Sequence, residues 1–167
     1  MIKKAVILAG GKGARLAEEV SDRPKPMADI AGLPFLHYLI LDLKSKGIAE
    51  IVLLTGYMHG FIESYFGSDY HELKVSYIVE YEPRGTGGLI YELSKKWDEP
   101  ILLINGDTYF DIDIQALCMQ STKKIVMATT KAKYTDRYGV LDIKDRIVKG
   151  FNEKNGNLIS PTEGKEF

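Results

Sequence analysis

Three segments of this 167-residue chain hold residues whose types and spacing suit phosphate chemistry. The first, Leu8-Ala9-Gly10-Gly11-Lys12-Gly13-Ala14-Arg15-Leu16, sets Gly10, Gly11 and Gly13 directly behind an apolar run. Glycine lets backbone N–H groups approach an anion with no side chain in the way, and it tolerates positive φ. Arg15 adds a forked cation that matches phosphate oxygens. The second is Pro24-Lys25-Pro26, in which two prolines stiffen the turn around one ammonium group, so that aiming it loses little entropy. The third is Asn105-Gly106-Asp107, again behind an apolar run. A carboxylate there suits Mg²⁺, a hard cation that prefers oxygen. Each has an ordinary alternative: a glycine-rich turn with solvated Lys and Arg, or a turn aspartate beside glycine. Two familiar phosphate motifs are excluded. No Lys-Ser or Lys-Thr follows the glycines as a Walker loop requires, and Leu16 stands where the dinucleotide fingerprint needs its last glycine.

These segments need a scaffold that brings them together. Residues 5–9 (AVILA) are a short continuous apolar run, the pattern of a strand buried on both faces. Residues 34–46 have helical spacing, opened by Pro34 and stopped at Gly47. Strands are predicted at 50–55, 75–79, 101–105 and 125–130, with helices at 59–66 and 88–97. This alternation predicts an α/β, Rossmann-like three-layer sandwich with a mainly parallel sheet. In such sheets ligands bind at the carboxyl ends of the strands, where the glycine loop, Gly85-Thr86-Gly87-Gly88 and Gly106-Asp107 all fall. Residues 138–143 and 146–151 read as a hairpin joined at Lys144-Asp145, and 155–167 as a polar loop.

Composition narrows the function classes. A hydrophobic fraction of 45%, a charged fraction of 27% and a net charge of -1 describe an ordinary globular protein, expected to form one domain over 1–167. They give no bulk attraction to nucleic acid. The one cysteine, Cys118, excludes an intrachain disulfide and reads as packing within ALCM, with a nucleophile paired to a distant His as the alternative. No apolar run reaches membrane-span length, and Met1-Ile2-Lys3-Lys4 leads into a strand without a signal-peptide core, so a cytoplasmic protein is expected. His37, His59 and His71 have no metal-ligand spacing. Asp111 and Asp113 read as exposed and carry no assignment.

The order G-G-x-G-x-R-L then P-K-P resembles the signature of the sugar-phosphate nucleotidyltransferases, or nucleoside-diphosphate-sugar pyrophosphorylases. The resemblance runs over about residues 2–154 and implies their nucleotide-diphospho-sugar transferase fold. It implies a nucleoside triphosphate accompanied by Mg²⁺, attack of a sugar 1-phosphate on the α-phosphorus, and departure of pyrophosphate. Arg15 would hold the leaving phosphates, Lys25 would steady the reacting ones, and Asp107 would bind the metal. Leu8, Ala9, Gly10, Gly11 and Gly13 would line the nucleotide. Glu80 with Gly85, Thr86 and Gly87 would form the base-reading loop. Uridylyl- and thymidylyltransferases of the family place a Gln where Glu80 stands. A carboxylate only accepts hydrogen bonds; guanine offers adjacent N1–H and N2–H₂ donors, whereas uracil offers one N3–H between carbonyls. Glu80 therefore favours GTP, unless Glu82 takes the role. Tyr138-Gly139-Val140 and Phe151-Asn152-Glu153-Lys154 resemble sugar-binding elements, so that Gly139, Glu153 and Lys154 would hold the sugar phosphate. A solvated charge pair is the alternative for the last two.

Within the family, Ser21 to Met27, Pro34-Phe35-Leu36 and Gly85 to Gly88 most resemble D-glycero-D-manno-heptose 1-phosphate guanylyltransferases, then the mannose 1-phosphate enzymes. A place in nucleotide-sugar and surface polysaccharide (lipopolysaccharide or capsule) synthesis follows as an expectation. The family's second metal-binding Asp, in a D-x-G-T/V turn, and its N-A/G-G-I-Y strand have no counterpart after Lys154. The C-terminal part is therefore expected to be truncated or diverged after about residue 154. An active guanylyltransferase, a uridylyl- or thymidylyltransferase, and a catalytically impaired nucleotide-binding module all remain open. A pure interaction domain leaves the three segments unexplained. The sugar and the oligomeric state stay open.

Overall fold

The computed structural model describes residues 2–11, 22–81, 85–119, 125–131 and 139–152. The chain divides into two compact units, Met1–Cys118 and Met119–Phe167.

The first unit is built on a five-stranded sheet. Its strands are β1 (Lys4–Leu8), β4 (Glu50–Thr55), β5 (Asp69–Tyr70), β6 (Leu73–Val79) and β7 (Leu102–Asn105), in the order β5-β6-β4-β1-β7. All pairs are parallel except the short edge pair β5–β6. Between β1 and β4 the sheet holds β2 (Asp29–Ile30) and β3 (Leu33–Pro34) outside it, as a small antiparallel pair. The register sets Ala5 beside Ile51, Val6 beside Val52 and Ile7 beside Leu53.

Side chains alternate across a strand, so this register divides the core into two layers. Ala5, Ile7, Ile51 and Leu53 pack with Leu36, Leu39, Ile40 and Leu43 of α1 (Phe35–Ser45), Ile62 and Phe66 of α2 (His59–Phe66), and Ile114 of α4 (Ile114–Met119). Val6, Val52 and Leu54 pack with Leu93 of α3 (Gly85–Lys96). Helices thus cover both faces, which is the predicted three-layer sandwich. Pro34, extended at φ -60, lies just before α1, and Gly47 lies past its end at φ +91, where a side chain would be strained.

Three predicted features differ. Helix α3 begins at Gly85, three residues before the predicted 88, so its glycines form the first turn instead of preceding it. Residues 125–130 form no strand. Ile125 is 70% and Met127 50% exposed, so the run is apolar without being packed, and composition alone cannot supply a pairing partner. The second unit contains the hairpin of β8 (Val140–Lys144) and β9 (Ile147–Asn152). Its turn residues are Asp145 and Arg146, both at positive φ, one residue later than predicted.

Candidate functional site

The strand order contains a reversal. The chain runs outward from β1 through β4 to β6, then returns past β1 to place β7 on its other side. In such sheets ligands bind in the crevice outside the carboxyl ends of the strands at the switch point, which here lies between β1 and β7. Leu8 to Gly11 leave β1 on one side of it and Gly106-Asp107 leave β7 on the other.

Backbone contacts hold these ends. The Gly106 N–H donates to Leu8 O at 2.9 Å and the Ala9 N–H to Leu54 O at 2.7 Å. A Cβ on Gly106 would sit 2.8 Å from Leu8 O. One on Gly10 would sit 3.2 Å from Gly56 N, and one on Gly56 would lie 3.1 Å from both Gly10 O and Glu80 O. Gly11 contrasts with these. It is exposed, and no described atom lies within 4 Å of where its Cβ would be.

Lys25 reaches the crevice from a single 3₁₀ turn, Lys25–Met27. Pro24, Pro26 and Met27 are buried, so the backbone on both sides of Lys25 is fixed in the core. The Met27 N–H donates to Pro24 O at 2.8 Å and the Ala28 N–H to Lys25 O at 3.0 Å, closing the turn. The Lys25 ammonium donates to Asp107 Oδ2 at 2.6 Å. The two side chains are 35% and 36% exposed, so the pair is partly open to solvent rather than in the core. The neighbouring cation is occupied elsewhere. Arg23 grips Asp22 through two hydrogen bonds of 3.0 and 2.7 Å, and its guanidinium holds the Asp22 carboxyl below the usual range.

Residues 4–157 match the nucleotidyl transferase family. This chain belongs to that family. It is 41% identical over 155 residues to a D-glycero-α-D-manno-heptose 1-phosphate guanylyltransferase of Aneurinibacillus thermoaerophilus, a match that covers 90% of the chain and 67% of the relative. A protein of the same name from Campylobacter jejuni is 40% identical, over 90% of the chain and 68% of its own length. Among solved structures, HddC from Yersinia pseudotuberculosis complexed with GMP-PN is 35% identical with a TM-score of 0.73, covering 92% of this chain and 70% of that one.

In this nucleotidyl transferase the expected site residues lie at several places. Leu8, Ala9, Gly10 and Gly11 gather at the end of β1, and Lys25 and Asp107 meet beside them. Glu80, half-buried, directly follows β6, and its N–H donates to Thr55 O at 2.7 Å. Gly85, Thr86 and Gly87 lie in the first turn of α3, where the N–H groups have no partner within the helix. Gly139 stands exposed ahead of β8 in the second unit. Gly13, Arg15, Glu153 and Lys154 lie outside the described residues, as does Glu82.

Gly56 was not among the expected residues. Its only signal is a Gly ending the apolar run 51–55, as Gly10 ends 5–9. Residues left unassigned have structural work. Asp113 Oδ1 accepts from the Ala116 N–H at 2.9 Å and caps α4. Asp111, 85% exposed, lies 3.7 Å from Lys46. The Cys118 thiol donates to Ile114 O and packs against the core, as expected of a packing residue.

Proposed function

We propose that this chain transfers GMP from GTP to a D-glycero-α-D-manno-heptose 1-phosphate, releasing pyrophosphate. The observation that carries the reading is the meeting of Lys25 and Asp107, 2.6 Å apart, at the switch point beside the β1 glycine loop. The similarity to heptose 1-phosphate guanylyltransferases supplies the substrates.

A sugar phosphate oxygen bonds to the α-phosphorus, and the bond from that phosphorus to the bridging oxygen of the β-phosphate breaks. Catalysis of such a step is mostly positioning and charge neutralisation. The glycine loop offers backbone N–H groups to the phosphates, and no described atom crowds Gly11. Lys25, together with Arg15, neutralises charge on the phosphate oxygens. Glu80 accepts from guanine N1–H and N2–H₂. Gly139, Glu153 and Lys154 serve the sugar phosphate.

Mg²⁺ would supply Lewis-acid polarisation of the phosphates. The donor set fits it in one respect: Asp107 is a partly exposed carboxylate already holding a cation, the Lys25 ammonium. No cluster of three or more His, Cys, Asp or Glu exists among the described residues. Asp107 would therefore share the ion with nucleotide phosphates and water, a usual arrangement for Mg²⁺. Among the described residues no helix is long and apolar enough to cross a membrane.

The test is pyrophosphate release with Mg²⁺, crossing GTP, UTP, CTP and dTTP with heptose, mannose and glucose 1-phosphates. GTP with heptose 1-phosphate should be fastest. Absence of release from every pair overturns the reading in favour of a nucleotide-binding module. Glu80→Gln should shift the GTP/UTP ratio by about tenfold toward UTP, the size of one hydrogen bond to a charged group; an unchanged ratio removes Glu80 from base reading.

A further inference from the structure

Lys25 and Asp107 are assigned to two different partners, phosphate and metal, yet each holds the other. The backbone at both ends is fixed. Lys25 stands between buried prolines, and Asp107 follows a glycine pressed against Leu8 O. Oδ2 carries the ammonium, and Oδ1 accepts a 3.3 Å hydrogen bond from the Thr108 hydroxyl. Mg²⁺ coordinates a carboxylate oxygen at about 2.1 Å. An ammonium 2.6 Å from that same oxygen occupies the cation's space and repels its charge. The pair is about one-third exposed, so water screens it and a competing ion can part it.

We propose that Lys25 holds the metal's place: in the nucleotide-free protein its ammonium occupies Asp107, and the cation displaces it. Loading Asp107 and freeing Lys25 for the phosphates are then one event. Without nucleotide, Lys25 and the cation compete. With nucleotide, the phosphates accept both, and the competition becomes cooperation. This rests on the reading of Asp107 as a metal ligand.

Two measurements on the full chain test it. A water-soluble carbodiimide joins an ammonium and a carboxylate in contact as an amide, the lost water leaving in the urea. Peptide mass spectrometry should find the Lys25–Asp107 cross-link in metal-free protein and its loss with excess Mg²⁺. A cross-link undiminished by Mg²⁺ overturns the proposal. Mn²⁺ binding followed by electron paramagnetic resonance, without nucleotide, gives the second readout. Lys25→Met should bind Mn²⁺ about fivefold more tightly than the parent while binding GTP more weakly, opposite signs that a lysine merely supporting the site would not produce. Unchanged or weaker Mn²⁺ binding in Lys25→Met overturns the proposal. Asp107→Asn separates the two failures: if it binds Mn²⁺ as the parent does, the metal assignment falls, and the proposal with it. If Asp107→Asn loses Mn²⁺ while the cross-link survives Mg²⁺, the metal assignment stands and the exchange alone is refuted.

Discussion

The two flanks of β1 are built differently. Toward β4, the loop end is held by backbone against backbone: Gly10 on Gly56, Gly56 on Glu80 O, with no side chain that could give way. Toward β7, a backbone contact of the same kind at Gly106 supports a pair of charged side chains partly open to solvent. One flank can keep a fixed distance between the glycine loop and Glu80. The other would, as proposed, exchange partners as ligands arrive. A site proposed to read a base and to move charge during a reaction would need both, and here they share one strand.

The largest effect should come from the exchangeable flank and appear in activity far more than in stability. Asp107→Asn should lower kcat by on the order of 10²-fold or more, as loss of a charge-stabilising group does. Its stability should fall by less than about 1 kcal/mol, because the pair is screened. Steady-state kinetics and urea unfolding together check this. A large stability loss would make Asp107 structural. Gly106→Ala should reverse the pattern. Its Cβ would meet Leu8 O at 2.8 Å, where only backbone can move, so unfolding should report a loss of about 2 kcal/mol.

The fixed flank gives smaller, sharper tests. Gly56→Ala places a methyl 3.1 Å from Gly10 O and Glu80 O, which must shift by a few tenths of an ångström. A stability loss of about 1 kcal/mol is expected. The KM for GTP should rise, while inhibition by tripolyphosphate, which needs only the glycine loop, should change less. Gly11→Ala meets no described atom within 4 Å. It should leave stability unchanged or raise it by up to about 1 kcal/mol through the unfolded chain, while still weakening GTP binding. If Gly11→Ala and Gly56→Ala behave alike, the two glycines do not differ as the contacts indicate.

Local signals explain what the sequence revealed. β1 and β4 were legible because a buried parallel strand is a continuous apolar run, and α1 because Pro34 and Gly47 bound it. The two-residue strand β5 had no such signal, since Asp69-Tyr70 exists as a strand only through its pairing with Lys74 and Leu73. The run 125–130 had the composition of a strand without the burial. At the site, Lys25 and Asp107 were each readable from their flanking prolines or glycine. Their contact was not, because 82 residues separate them and only the return of the chain to β7 brings them together. Gly56 was missed for a related reason: its neighbours Gly10 and Glu80 are close in space and distant in sequence.

The smallest expected effect belongs to a polar contact at the opposite edge of the sheet, which should leave both flanks of β1 untouched. His37 of α1 is buried, with its Nδ1 2.7 Å from the Tyr70 hydroxyl. Burial pulls its pKa below 6.5, and the neighbouring His71 pulls the same way. Burial pushes Tyr70 up to about 12, so the phenol stays neutral at ordinary pH. The folded protein therefore resists protonating His37, while the unfolded chain accepts the proton near 6.5. Stability from this group is complete above that value and is lost as pH falls from it toward the lower folded pKa. His37→Asn removes the titration. Urea midpoints at about pH 8 and about pH 5 should fall less for His37→Asn than for the parent, by the linkage of one proton. GTP affinity at about pH 8 should be equal in the two proteins, since in the neutral range the contact involves no charge. An equal fall in the midpoints would mean that burial does not hold His37 neutral. A changed GTP affinity would mean that the sheet edge and the crevice are coupled, and that the fixed flank of β1 extends further than its glycines.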